Sequence, residues 1–251
     1  MAIFEHDGAS ISYQVHGRGW PLLLFAPGGM NSIARLWRES PRTPSQPPPW
    51  IDPTTVLSDD FLVVDMDQRN AGSSSGPVNA GDGWATYAAD HLGLMDHLGL
   101  DRAHLMGGCI GSSYCLGVCQ AAPGRVTAAV LQNPIGLTAD NRQAFVDMFD
   151  GWARDLRARR PDVTGEAIGA LGEAMFGGDF VFSVDRDFVR RCEVPLLVLA
   201  GNDHFHPRAV AEEIVELAPS AELVLEWAGP EHGAATGERV RDFLASHTPR
   251  E

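Results

Sequence analysis

Short segments rich in apolar residues recur along the chain and alternate with segments of helical periodicity. The apolar segments occupy 21–26, 61–65, 103–106, 126–131, 195–200 and 222–225. A strand that is apolar at nearly every position is typical of a parallel sheet, because helices cover both faces of such a sheet. The helical segments occupy 84–98, 112–122, 208–217 and 233–244. This alternation predicts an α/β fold with a mostly parallel central sheet and helices on both faces.

The remaining segments complete a single predicted domain over residues 1–251. Asp7 and Gly8 indicate a hairpin turn between strands at 2–5 and 11–15. Pro and Ser residues are concentrated at 40–53, which predicts a long surface loop. Residues 136–191, between two strands, are mainly helical in pattern and more polar. We expect them to form a small helical cap over the carboxyl edge of the sheet.

Charge and hydrophobicity narrow the classes of partner. The 251 residues carry a formal net charge of -14 and are 44% hydrophobic. An acidic surface repels nucleic acid and anionic membranes, so neither is an expected partner. The first residues lack a basic start followed by an apolar run, and no apolar stretch reaches membrane-spanning length. These features predict a cytoplasmic protein, while the oligomeric state cannot be read from the sequence.

The four cysteines are not arranged as a metal site. Cys109, Cys115 and Cys119 lie in one short segment, and Cys192 is distant in the chain. Cys115 and Cys119 would share a helix face, but no histidine stands beside them at ligand spacing. We interpret these two as small buried hydrophobic residues and expect reduced thiols in the cytoplasm. With no nucleotide or flavin motif either, the sequence predicts no cofactor and no metal.

Cys109 stands between a predicted strand and a predicted helix in the sequence Gly107-Gly108-Cys109-Ile110-Gly111. A nucleophile on such a turn has a strained backbone and needs small residues two positions before and after it. Gly107 and Gly111 meet this requirement. The segment resembles the nucleophile elbow of the α/β-hydrolase superfamily, with cysteine where most members have serine. A cysteine substituted for serine to trap an acyl group is an alternative that the sequence leaves open.

The resemblance extends over almost the whole chain and implies a catalytic triad. The family's acid follows a late strand, where this chain has Asp203, and its histidine follows the last strand, where this chain has His232. Nucleophile, acid and histidine then occur in the family's order. His232 would take the proton of the Cys109 thiol, while Asp203 would hold the imidazole in the correct tautomer. The nearby His204 and His206 are interpreted as loop or capping residues rather than ligands.

The family also implies an oxyanion hole made of two backbone amides. One is the amide of Ile110, directly after the nucleophile and at a helix N-terminus. The other is expected from Gly29, with Met30 as a nearby possibility, although this chain lacks the His-Gly of many relatives. Met30, Trp152 and Trp227 are candidates for contact with substrate.

A second group of polar residues follows the strand at 61–65. Asp65, Asp67 and Arg69 lie there. The family's habit of an acid and an arginine at this place implies a structural salt bridge rather than catalysis.

These features predict an enzyme that acts on an acyl bond. The first hypothesis is hydrolysis of an ester, lactone or thioester of a small molecule through an acyl-cysteine intermediate. The second is an acyltransferase, or a cyclising or releasing enzyme of a biosynthetic pathway, that uses the same triad. The third is a non-catalytic ligand-binding protein on a hydrolase scaffold. The substrate itself is not predicted.

Overall fold

A single sheet of eight strands forms the centre of the described structure. The computed structural model describes residues 1–40 and 48–250, and in these the strands are β1 (Ala2–His6), β2 (Ala9–Gly17), β3 (Trp20–Phe25), β4 (Phe61–Met66), β5 (Ala103–Gly108), β6 (Val126–Gln132), β7 (Leu196–Leu199) and β8 (Ala221–Val224). They form one sheet in the order β1-β2-β4-β3-β5-β6-β7-β8. The β1–β2 and β2–β4 pairs are antiparallel and the other pairs are parallel. The prediction of a mostly parallel sheet is confirmed.

Helices cover both faces of this sheet. They are α1 (Pro53–Val56), α2 (Trp84–His97), α3 (Ile110–Ala121), α4 (Arg142–Arg159), α5 (Gly165–Phe176), α6 (Arg186–Arg191), α7 (Arg208–Leu217) and α8 (Gly233–Ser246). Short 3-10 turns lie at Gly29–Asn31, Ala34–Trp37 and Pro123–Arg125. None of the helices in the described ranges is long and apolar enough to cross a membrane.

Successive residues of the central strands enter two different cores. In β3, Leu23 and Phe25 join the core that includes residues of α2 and α3. Leu22 and Leu24 join a second core on the opposite face, which includes residues of α8. Side chains alternate across a strand, so a strand covered on both sides must be apolar at every position. This double burial explains the continuous apolar runs of the sequence.

The polar loop after β4 is held by interactions within the body of the protein. The Asp67 carboxylate accepts hydrogen bonds from the backbone N–H groups of Ala34 and Ser73, both at 2.9 Å. Arg69 donates two hydrogen bonds to the buried carboxylate of Asp90 on α2, at 2.8 and 2.7 Å. Asp65 faces a different way, with a carboxylate oxygen 3.7 Å from Arg38. Arg69 therefore forms a structural salt bridge, and its partner comes from α2 rather than from the same loop.

Three helices of the predicted cap region, α4, α5 and α6, lie between β6 and β7. Residues of α4 contact the 3-10 turn at Gly29–Asn31, at the carboxyl end of β3. The cap therefore packs beside the edge where the parallel strands end. Of the predicted surface loop at 40–53, residues 41–47 lie outside the described residues, and 53 already belongs to α1.

Candidate active site

Cys109 occupies a strained turn between β5 and α3. Its backbone has φ 58° and ψ -121°, in the left-handed range of φ that few non-glycine residues adopt. A Cβ atom on Gly107 would lie 2.0 Å from the carbonyl oxygen of Gly111, and one on Gly111 would lie 1.9 Å from that of Phe25. Both positions therefore have to be glycine. The strain and the two close approaches together present the thiol at the carboxyl edge of the sheet.

His206 is the histidine that the structure pairs with Asp203. The turn after β7 closes with backbone hydrogen bonds between these two residues, 3.2 and 3.3 Å long. The Nδ1 atom of His206 lies 2.8 and 2.9 Å from the two carboxylate oxygens of Asp203. The same carboxylate accepts hydrogen bonds from the backbone N–H groups of Phe205 and His206. One tight turn thus supplies both the acid and the histidine.

Gly201 makes room for this arrangement. A Cβ atom on Gly201 would lie 2.4 Å from the Cβ atom of His206. The carbonyl of His204 accepts a hydrogen bond from the Nδ2 group of Asn141, next to the cap helix α4. The absence of a side chain at Gly201 leaves space for His206, and the hydrogen bond from Asn141 holds the turn on the side of α4.

The ionisation of Cys109 and His206 is coupled through their charges. Burial raises the pKa of the Cys109 thiol, but the positive charge of His206 and backbone N–H groups of Gly28 and Ile110 outweigh it, so the pKa falls below its usual value. Burial lowers the pKa of His206, but the charge of Cys109 and the Asp203 carboxylate raise it to about 10. The pKa of Asp203 falls to about 2, chiefly through its hydrogen bond with His206. Each charge favours the other, so the site stabilises a thiolate beside an imidazolium relative to the same two groups apart.

No hydrogen bond of regular geometry from a described residue ends on the enclosed Nε2 atom of His206. Catalytic contacts of this kind are often long or poorly aligned before substrate binds and tighten afterwards. The side chain of His206 is 14% exposed, so its charge acts on Cys109 with little screening by water. The geometry therefore brings a thiol, an imidazole and a carboxylate together at one cavity.

His232 follows the last strand, as predicted, but it is not hydrogen-bonded to Asp203. It stands just before α8, its side chain is 36% exposed, and its Nε2 atom lies 3.7 Å from a carboxylate oxygen of Glu231. Among the described residues, the hydrogen bonds of the Asp203 carboxylate go to Phe205 and His206 and none goes to His232. His232 does line the same cavity as Cys109. The structure thus brings Cys109 and Asp203 together as predicted, but around His206.

The backbone N–H groups that help to lower the pKa of the Cys109 thiol belong to Gly28 and Ile110. The second donor was predicted at Gly29, one residue later. Gly29 begins the 3-10 turn, and a Cβ atom on it would lie 2.6 Å from the sulfur of Met148, a residue of α4. The α carbon of Gly29 therefore faces the cap. Gly28 has φ 126°, and its backbone N–H rather than that of Gly29 is the one that acts on the thiol of Cys109.

A cavity of about 920 Å³ opens over these residues. Trp227 lines it, as predicted for a substrate contact, with its indole N–H bound to the carbonyl of Ala200. Met30 and Trp152 do not line it among the described residues; they are 2% and 3% exposed and belong to the core. The prediction for these two is therefore corrected. Other lining side chains are largely apolar and include Ile135, Phe145, Met148 and Phe205.

Spacing in the sequence already held a signal for His206. In a turn after a strand, an aspartate can form a hydrogen bond with a histidine three residues later. Among the described residues, no group of three or more His, Cys, Asp or Glu side chains is placed to hold a metal ion. The chemistry available to these residues is nucleophilic attack with proton transfer.

The lowered pKa of Cys109 predicts unusual reactivity toward an alkylating reagent. Only the thiolate reacts, so we expect iodoacetamide to modify Cys109 at a pH where an ordinary thiol is almost inert. Replacing His206 with alanine removes the positive charge, which should move the pH midpoint of the reaction upward. Peptide mapping of the alkylated protein measures Cys109 separately from Cys192, whose pKa is also lowered, to about 7. An unchanged midpoint in the His206 variant would contradict the coupling.

Comparison with known proteins places the whole arrangement in a family. The family model described as alpha/beta hydrolase fold matches residues 21–180. A dihydrolipoyllysine-residue acetyltransferase component of the acetoin cleaving system, from Cupriavidus necator, is 26% identical over 275 residues. That match covers 95% of this chain but 66% of the relative, so the chain spans just under two thirds of that protein's length.

Two solved structures share the fold at low sequence identity. One is a mutant of the meta-cleavage product hydrolase CumD from Pseudomonas fluorescens IP01, with a TM-score of 0.73, 19% identity, and coverage of 99% of this chain and 98% of that one. The other is the enol-lactonase from Burkholderia xenovorans LB400, with a TM-score of 0.68, 21% identity, and coverage of 97% and 100%. Sheet order, elbow and family model agree, and the chain belongs to the α/β-hydrolase fold family.

Proposed function

We propose that this protein hydrolyses an ester, lactone or thioester of a small molecule through an acyl-cysteine intermediate. The observation that supports it most is the thiol of Cys109 on the strained turn, with its pKa lowered by His206 and by two backbone N–H groups. A thiolate held beside an imidazolium is an activated nucleophile. Cys109 is proposed as the nucleophile, His206 as the general acid and base, and Asp203 as the group that orients His206.

The first half of the proposed reaction forms the thioester. The Cys109 thiolate attacks the carbonyl carbon, and the carbonyl electrons move onto oxygen. The backbone N–H groups of Gly28 and Ile110 are proposed to stabilise that oxyanion, since they already point at the sulfur. The carbonyl then re-forms and the bond to the leaving group breaks. The leaving group departs with the proton of His206.

The second half releases the acid. His206 is now neutral, because it has given its proton to the leaving group. It can take a proton from water, whose oxygen attacks the thioester carbonyl. Collapse of this second oxyanion frees the carboxylic acid and returns the thiolate, and the proton stays on His206. The hydrogen bond between Asp203 and Nδ1 keeps Nε2 directed at the reaction throughout.

Acyl transfer is the second candidate. A thioester intermediate reacts with amines and thiols as well as with water, and a relative at 26% identity is named as an acetyltransferase component. The apolar residues around the cavity would also limit access of water. Transfer differs from hydrolysis only in the acceptor, so the residues and their roles stay the same.

Intact mass and peptide mapping after brief exposure to p-nitrophenyl acetate and an acetyl thioester test the proposal. We expect an acetyl adduct on Cys109 that decays in water with release of acetate. An adduct that decays only after an amine or thiol is added would favour transfer. The Cys192→Ala variant is the matched control, because it removes the other cysteine of lowered pKa and should leave the adduct unchanged. If Cys109 forms no adduct and no product appears, either with these reagents or with p-nitrophenyl esters that carry a hydroxyl or amide N–H near the carbonyl, the proposed function is refuted.

A further inference from the structure

Asn133 is a strained polar residue in the strand position next to the nucleophile. In the parallel register, Gly108 pairs with Gln132, and the backbone N–H of Cys109 donates to the carbonyl of Gln132. Asn133 therefore follows β6 at the level where Cys109 follows β5. On its other side, its own N–H donates to the carbonyl of Leu199 at the end of β7, at 2.7 Å. Asn133 thus lies between the strand that carries the nucleophile and the strand that leads to Asp203 and His206.

The backbone at Asn133 and its side chain both suggest a role in binding. Its φ is 36°, a value uncommon for residues other than glycine and found most often at asparagine and aspartate. Such strain persists where the surrounding structure enforces it and is concentrated at ligand-binding sites. The residue lines the cavity over Cys109. Its Oδ1 atom is enclosed and has no hydrogen-bond partner among the described residues.

An amide oxygen without a partner is informative because buried polar groups in proteins are nearly always hydrogen-bonded. The neighbouring wall of the cavity is apolar and includes Ile110, Ile135 and Phe145. Of the two polar atoms of the amide, the oxygen is the one that is enclosed and without a partner among the described residues. A ligand that offers an N–H or O–H group beside the scissile carbonyl would satisfy the oxygen.

We infer that Asn133 is a specificity-determining residue, and that the preferred substrates are acyl compounds with a hydroxyl or amide N–H close to the scissile carbonyl. This inference rests on the proposed function and narrows its substrate class. A site built to hydrogen-bond a substrate group rejects analogues that lack the group, because its own polar atom is then left unpaired. Simple alkanoyl esters should therefore be poor substrates.

Two matched pairs of p-nitrophenyl esters test it. The N-acetylglycinate and 4-oxopentanoate esters differ by N–H against CH2, and the 3-hydroxybutanoate and butanoate esters differ by one hydroxyl. We expect the wild-type protein to prefer the donor-bearing ester of at least one pair by about ten-fold or more in kcat/KM, after subtraction of uncatalysed hydrolysis. The Asn133→Gly variant tolerates the backbone angle but lacks the amide, so its preference should fall to within about two-fold.

The Asn133→Asp variant keeps an acceptor oxygen and should retain part of the preference, which a purely structural role would not require. Equal rates for both members of both pairs in the wild type would overturn the inference, as would a preference that survives in Asn133→Gly. Titration calorimetry of the same esters with Cys109→Ala gives a second readout of the preference that needs no turnover. Absence of turnover together with a donor preference in binding would refute the proposed function and support the role of Asn133.

Discussion

Cys109→Ala is expected to lower kcat/KM for an acyl substrate by roughly 10^4- to 10^6-fold, because the group that forms the covalent intermediate is lost. The strained backbone at this position favours no particular non-glycine side chain, so the fold should be retained. Steady-state kinetics with whichever p-nitrophenyl ester the wild-type protein hydrolyses fastest measure the loss. Thermal unfolding should shift by less than about 4 °C, the change that corresponds to about 1 kcal/mol for a protein of this size.

Cys109→Ser is the informative companion to this variant. A hydroxyl is far less acidic than a thiol, so the charge of His206 cannot ionise it at rest, while the imidazole can still remove the proton as the attack occurs. We expect measurable activity below that of the wild type and above that of Cys109→Ala. Wild-type activity in Cys109→Ala would remove Cys109 from the reaction altogether.

The His206→Ala and His232→Ala variants should differ sharply in kcat/KM. We expect the first to lower kcat/KM by about 10^4-fold, since the thiol loses both the charge that ionises it and the acid that protonates the leaving group. The second should stay within about ten-fold of the wild type, because His232 is partly exposed and Asp203 bonds to His206 instead. Asp203→Asn should lie between the two, by leaving His206 present in the wrong tautomer.

The reverse result would restore the prediction made from the sequence. If His232→Ala is inactive and His206→Ala is not, the histidine after the last strand is the base, and His206 only orders the turn. Equal losses in both variants would show that the two histidines of this cavity share the proton transfers. Alkylation of Cys109 in each variant distinguishes loss of ionisation from loss of later steps.

Much of the fold follows from local patterns. The apolar segments predicted the strands, and the glycines on either side of Cys109 predicted a turn that only small neighbours allow. The places of β3, β5 and β7 in the chain therefore positioned Gly28, Cys109 and Asp203 at the same edge of the sheet. Parallel strands end on the same side, and that rule needs no knowledge of side-chain packing.

Contacts between loops were not predictable in the same way. The sequence has three histidines near the two final strands, and order along the chain favoured His232. Choosing among them depends on how the turn after β7 closes upon itself and on the space that Gly201 leaves for His206. Met30 and Trp152 were misplaced for a related reason. An apolar side chain near a site can face the cavity or the core, and periodicity does not distinguish the two in short segments.

The sequence by itself determined the α/β architecture, the nucleophile's turn at Cys109 and the carboxylate at Asp203. Each depends on burial pattern or backbone sterics within a few residues. Only the tertiary structure decided that His206 is hydrogen-bonded to Asp203, that the amide of Gly28 rather than Gly29 acts on the thiol, and that Asn133 stands beside Cys109. Those three facts depend on distances between segments far apart in the chain, which are set by the packing of the loops at the sheet edge.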